Sequence, residues 1–277
     1  MKKLAILAIL LTLSGGVGAQ NYDQWIDRSF DLLEADSTAA AAEALRAAMR
    51  LEPANPRNSL LLTNLGTLQR ELGQAAEAEI SYSAALGLAP DNDKALASRA
   101  ALRAERNDLT GAIDDYTALL TLRPHDEDAL YRRALCRLMT SDTLGARLDL
   151  EAIDAFNPLS AKARMGMAYV YKAEGLYADA AELYTALMAS NPRNARLLRE
   201  RAEVYYMGGR LGAALSDINE SIALRPTDPL GYVLRARFRY ARGDREYARR
   251  DLQKAREMGI DDAILVDLEQ NLEEKHK

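Results

Sequence analysis

SLLLTNLGTLQRELGQAAEAEISYSAALGLAPDN, residues 59–92, is followed at once by DKALASRAALRAERNDLTGAIDDYTALLTLRPHD, residues 93–126. The two stretches have the same length and align without a gap. Working outward, Pro90, Pro124, Pro158, Pro192 and Pro226 recur every 34 residues. Ala78, Ala112, Ala146, Ala180, Ala214 and Ala248 keep the same step. A fixed period of this size marks an array of identical supersecondary units, and a 34-residue period predicts paired helices. The units run 59–92, 93–126, 127–160, 161–194, 195–228 and 229–262. An earlier unit, 22–55, fits after the insertion Pro56-Arg57-Asn58.

Numbered within a unit, the eighth position reads Ser29, Gly66, Ala100, Ala134, Ala168, Ala202 and Ala236, always small. The twentieth reads Ala41 and then the six alanines above. Small side chains at both places predict two helices crossing at close range. Larger residues (Leu45, Tyr82, Tyr116, Leu150, Tyr184, Ile218, Leu252) recur on the second helix and fill the space between. Asp36, Gly73, Asn107, Ser141, Gly175, Gly209 and Gly243 fall between the helices; most of these types tolerate the left-handed backbone that ends a helix. Each proline comes where the second helix must stop.

Leu65-Gly66, Gly73, Ala78, Tyr82, Ala85 and Pro90 resemble the tetratricopeptide repeat position for position, and Trp25, Ala41 and Pro53 supply its aromatic, alanine and proline in the first unit. The resemblance covers residues 22–262. It implies an all-α, right-handed α-solenoid of about seven helix-turn-helix repeats. The last unit has Ile260 in place of proline; Asp261 and Asp262 there are expected to cap a final helix with Leu265, Leu268 and Leu272 on one face. Residues 263–277 would then form the C-terminal cap over the array's last open face.

The chain has 277 residues, 48% apolar and 28% charged, with a net charge of −5. Nothing in that balance suggests a basic surface for nucleic acid. Lys2-Lys3, the apolar run Leu4 to Leu13 and the small tripeptide Val17-Gly18-Ala19 predict a secretory signal peptide over 1–19, cleaved after Ala19. The run is shorter than the roughly 20 residues of a membrane span, so no stable membrane insertion is expected after cleavage. The mature chain would carry 34 basic against 41 acidic side chains, a net charge of −7. Export places it in the periplasm or cell envelope of a Gram-negative bacterium. Cys136, the only cysteine, lies among Ala134, Leu135 and Leu138 and is expected to fill a small core site.

Arginine at the seventh position (Arg99, Arg133, Arg201, Arg235) travels with aspartate sixteen residues later (Asp115, Asp149, Asp217, Asp251). Units without the arginine also lack the aspartate: Leu65 goes with Ser81, and Met167 with Leu183. Only the first unit, with Arg28 and Ala44, breaks the rule. Joint presence or absence predicts a buried ion pair between the helices of a unit, because one unpaired member is costly and a matched apolar pair is not.

The sequence points to no enzyme, no cofactor and no metal. His125 and His276 are the only histidines, they lie far apart in the chain, and no converging ligand spacing exists. In each first helix the fourth, seventh, eighth and eleventh positions pack; the second, fifth, ninth and twelfth form the opposite stripe. By resemblance that stripe lines the concave groove where a protein or peptide partner binds. Its candidate residues are Tyr131, Lys162, Tyr169, Lys172, Arg196, Arg199, Tyr206, Arg237 and Tyr240, types enriched where proteins grip partners. The basic tract from Arg196 to Arg237 favours an acidic or C-terminal segment. The clamp by which some relatives hold a chaperone's terminal carboxylate is not implied. Ile26, Phe30, Asn64, Lys94 and Ser98 stand at its five places, and two of them fit. The expected function is a non-catalytic adaptor or scaffold in envelope assembly. Two alternatives stay open: a self-associating structural protein, and a periplasmic carrier or chaperone for glycan or lipid.

Overall fold

The computed structural model describes residues 20–189, 191–266 and 270. The expected signal peptide, Leu268 and Leu272 lie outside the described residues. Among the described residues the chain forms fourteen α-helices and no strand, and it divides after Pro124 into two compact units.

The first unit holds α1 (Tyr22–Glu34), α2 (Thr38–Leu51), α3 (Asn58–Glu71), α4 (Ala75–Leu88), α5 (Asp93–Glu105) and α6 (Leu109–Leu122). Each helix packs on the next, and α3 also touches α5. Tyr22, Ile26, Leu45, Leu61 and Leu65 share a buried cluster flanked by Trp25. The Tyr22 hydroxyl donates to Asn58 Oδ1 at 3.0 Å. Asn58, from the three-residue insertion, donates in turn to the Glu52 and Pro53 carbonyls, which fixes the turn.

The second unit holds α7 (Glu127–Met139), α8 (Thr143–Phe156), α9 (Ala161–Ala173), α10 (Tyr177–Met188), α11 (Ala195–Met207), α12 (Leu211–Leu224), α13 (Pro229–Arg242) and α14 (Arg245–Glu257). Again each helix packs on its successor. The first helices of adjacent repeats also meet, α7 on α9 and α11 on α13.

The small positions behave as the spacing predicts. Ala41, Ala78, Ala112, Ala146, Ala180, Ala214 and Ala248 are all fully buried. At Gly66 a Cβ would sit 2.7 Å from the Tyr82 ring, so the smallest residue is required there. Asp36, Asn107, Ser141, Gly73, Gly175, Gly209 and Gly243 all take positive φ and end the first helix of their repeats. From α5 onward the residue before each first helix caps it: Asn92, Asp126, Ser160, Asn194 and Asp228 accept from backbone N–H groups two or three residues on. After α14, Asp261 caps a short 3-10 turn, Asp262–Ile264, and Leu265 is fully buried against Val233 and Leu252. The expected cap over 263–277 thus begins as a 3-10 turn.

All four predicted Arg–Asp pairs form, each with Nε and Nη2 on the two carboxylate oxygens: Arg99–Asp115, Arg133–Asp149, Arg201–Asp217 and Arg235–Asp251, at 2.6–3.0 Å. Two features go beyond the sequence reading. Three of the aspartates take a second guanidinium, from Arg103, Arg137 and Arg239 at the eleventh position. The seventh-position arginine also reaches back to the preceding repeat, Arg99 to Ser83, Arg201 to Thr185 and Arg235 to Asn219. The ion pair therefore ties helices within a repeat and repeats to one another. Arg28, whose partner position is Ala44, is exposed instead.

Candidate functional site

Every predicted site residue lies in the second unit, on the first helices of four successive repeats. Tyr131 is on α7; Lys162, Tyr169 and Lys172 on α9; Arg196, Arg199 and Tyr206 on α11; Arg237 and Tyr240 on α13. Caps at Asp126, Ser160, Asn194 and Asp228 set where each of these helices starts, and hence the register of the stripe.

Contacts between neighbouring first helices make the stripe one continuous face. Lys162 pairs with Asp128, joining α9 to α7. Lys172 pairs with Glu203, and Arg196 Nη2 lies 3.5 Å from the Tyr169 hydroxyl, joining α11 to α9. Arg237 comes within 3.9 Å of Glu203, and the Tyr206 ring stacks on Phe238 with centroids 4.8 Å apart, joining α13 to α11. Arg199 pairs with Asp228, the residue that caps α13. The Arg245 guanidinium sits 5.9 Å above the Tyr240 ring.

This geometry changes the electrostatics expected from sequence. Lys162 and Lys172 are each neutralised by a carboxylate on an adjacent repeat and Arg199 by Asp228 at the end of its own, so the tract is less basic than a count of its cations. Arg196 is exposed and makes no ion pair among the described residues; Arg237 is 46% exposed, with only the distant Glu203 contact. Tyr131 is half-buried. Burial pushes its hydroxyl up from the ordinary value, with Tyr169 adding to the shift and Arg196 opposing it. Burial likewise raises the Cys136 thiol, which fills a core site on α7.

Two groups at this face escaped the sequence reading. Glu200 lies one turn after Arg196 on α11. Tyr184, counted as a space-filler on the second helix, carries a buried hydroxyl with no hydrogen-bond partner. Tyr82, at the same place in its own repeat, has its hydroxyl 3.3 Å from that of Thr67.

Among the described residues no three His, Cys, Asp or Glu side chains converge as metal ligands. No helix among them is long and apolar enough to cross a membrane. What the face offers is ring surface, guanidinium and hydroxyl donors, and carboxylates, all suited to gripping another chain.

Consecutive two-helix repeats presenting such a face define a repeat scaffold of the kind that binds proteins. The chain belongs to the tetratricopeptide repeat family, whose model matches residues 31–93, 97–161 and 165–229. A tetratricopeptide repeat protein from Parabacteroides merdae is 35% identical, with a TM-score of 0.81, over 91% of this chain and 98% of that one. YrrB, described as having an unusual peptide-binding site, shares the fold at 18% identity and a TM-score of 0.54, over 69% of this chain and 96% of its own. Mouse RNA polymerase II-associated protein 3 is 36% identical over 91 residues, 33% of this chain but 14% of that protein's length.

Proposed function

We propose that this protein is a non-catalytic adaptor that holds an extended peptide or a segment of a partner protein across the first-helix face of its second unit, in the bacterial cell envelope. The observation that carries the reading is the continuity of that face. Tyrosines, arginines and lysines from four repeats meet through contacts across each repeat boundary, which gives a partner one surface in place of four separate patches. The peptide-binding site of YrrB supports the peptide class of ligand, and the Lys2-Lys3, apolar-run and Val17-Gly18-Ala19 pattern supports export. Exposed Arg196 and Arg237 favour a segment that carries acidic groups.

An immobilised array of overlapping peptides from envelope proteins tests this. The purified chain is expected to retain a subset enriched in acidic residues, and to lose it when Arg196→Glu and Arg237→Glu are combined. Retention no better than for scrambled sequences would count against the reading.

A further inference from the structure

Charge is divided unequally between the first and last repeats. Residues 22–55 carry seven acidic and three basic side chains, whereas 229–262 carry nine basic and six acidic ones. On α1 the carboxylates of Asp27, Asp31 and Glu34 are exposed on one side of the helix, at i, i+4 and i+7, and none has an ion pair or hydrogen bond among the described residues. Phe30 stands on the same side, 53% exposed. Asp31 occupies the tenth position of its repeat, where Leu68, Leu102, Cys136, Val170, Val204 and Phe238 are all buried. Val204 shares a core with Ala181, and Phe238 with Leu215, in each case on the second helix of the preceding repeat. The first repeat thus places an exposed charge where later repeats place the contact that joins repeat to repeat.

The opposite charge stands on α14. Tyr247, Arg250 and Lys254 fall at i, i+3 and i+7 and are all exposed. Arg250 and Lys254 line a shallow hollow with Glu246, Arg249, Gln253 and Glu257. Glu246 is taken by Arg249, and Lys254 comes only within 3.8 Å of Glu257. Arg250 has no carboxylate partner among the described residues and rests over the Tyr247 ring at 5.5 Å. In the preceding repeat the second helix meets the next one through Leu211, Leu215 and Ile222, which share a core with Phe238. Arg250 and Lys254 stand instead where that helix has Ser216 and Glu220, both exposed. They therefore lie on the side of α14 that an array leaves uncovered.

We propose that the Tyr247–Arg250–Lys254 side of α14 docks on the Asp27–Phe30–Asp31 side of α1 in a second copy of this chain. Asp27 with Asp31, and Arg250 with Lys254, are like-charged neighbours one turn apart, an arrangement that repels within its own helix. Set against each other the two pairs match sign for sign at the same spacing of about 6 Å, and each side brings an exposed ring. An anionic lipid surface would engage the basic side alone and leave the acidic one unmatched, so a second copy is the occupant that uses both. Exposed ion pairs are individually weak, which makes the contact reversible. Because the two surfaces differ, the contact is heterologous and can recur from copy to copy.

Sedimentation of the full chain at low salt tests this. The average mass is expected to rise with concentration and to fall to that of one chain at high salt, which screens exposed pairs. Asp27→Lys with Asp31→Lys, and separately Arg250→Glu with Lys254→Glu, should each weaken association about tenfold. Mixing the two variants should restore it, because native surface then meets native and reversed meets reversed; a folding defect would not be rescued in this way. Vesicles of equal phosphatidylglycerol and phosphatidylcholine serve as a second probe. A chain that stays single at every concentration, association unchanged in both variants, or vesicle binding by a chain that does not self-associate would overturn the proposal. None of the four substituted residues lies on the peptide-binding stripe, so the outcome leaves that reading to its own test.

Discussion

Asp217 is the simplest of the four buried aspartates, because only Arg201 reaches it; Tyr205 stands where the other three repeats place a second arginine. Both members of the pair are largely screened from water, with side-chain exposures of 17% and 9%. Arg201→Ala would strand that carboxylate and should destabilise the fold by about 3 kcal/mol, whereas Arg201→Met combined with Asp217→Leu should cost far less. Thermal unfolding of the two variants checks this, and equal losses would contradict the pairing. The first-order pairing is legible in sequence, because arginine and aspartate appear and vanish together sixteen residues apart. The second guanidinium is not, because the eleventh position reads as a packing position, filled by Leu32, Gln69, Tyr171 and Tyr205 in the other repeats. Long arginine stems satisfy that pattern while their heads reach the aspartate.

At the scale of the helix, turns and caps decide where each element begins and ends. Ser141 holds φ at 65°, a conformation that costs a residue with a side chain about 1 kcal/mol and glycine little. Ser141→Gly is therefore expected to raise the unfolding temperature by a few degrees, and Gly175→Ala, at φ 79°, to lower it by a similar amount. Calorimetry that finds the opposite order would refute the strain argument. Glu127, in the first turn of α7, accepts from Asn157 at 2.9 Å and from Ser160 at 2.8 Å, and so ties α7 to the connection between α8 and α9. These bonds hold its carboxyl below the ordinary carboxylate range. A lowered folded value gives stability that is present above the unfolded value and lost as pH falls through the folded one. The stability gap between wild type and Glu127→Gln should thus be widest at neutral pH and close as pH drops below about 4. Denaturant midpoints across that range measure it, and a gap independent of pH would rule the bonds out as its source. The turn positions were readable from Asp36, Asn107, Ser141 and the glycines. The capping series Asn92, Asp126, Ser160, Asn194 and Asp228 is just as periodic, but side-chain oxygens in a polar connection look like ordinary loop composition until the bonds are seen.

Across the whole molecule, the repeat makes fold and face legible together. Once the period is set, which positions pack and which form the stripe follows from helical geometry, and contacts join α7 to α9, α9 to α11 and α11 to α13 along that stripe. Pairing between repeats was not legible. Lys162 meets Asp128, and Lys172 meets Glu203, across a repeat boundary from partners 34 and 31 residues away in the chain. Arg196 and Arg237 consequently emerge as the cations still available to a ligand. The central claim is that this face grips a partner, and the measurement that tests it most directly is an in-envelope crosslinking pull-down. It would compare wild type with an Arg196→Glu, Arg237→Glu variant whose circular dichroism and unfolding temperature match wild type. The account predicts a partner crosslinked to wild type and lost from the variant. A partner captured equally by both would place the binding surface elsewhere and contradict it.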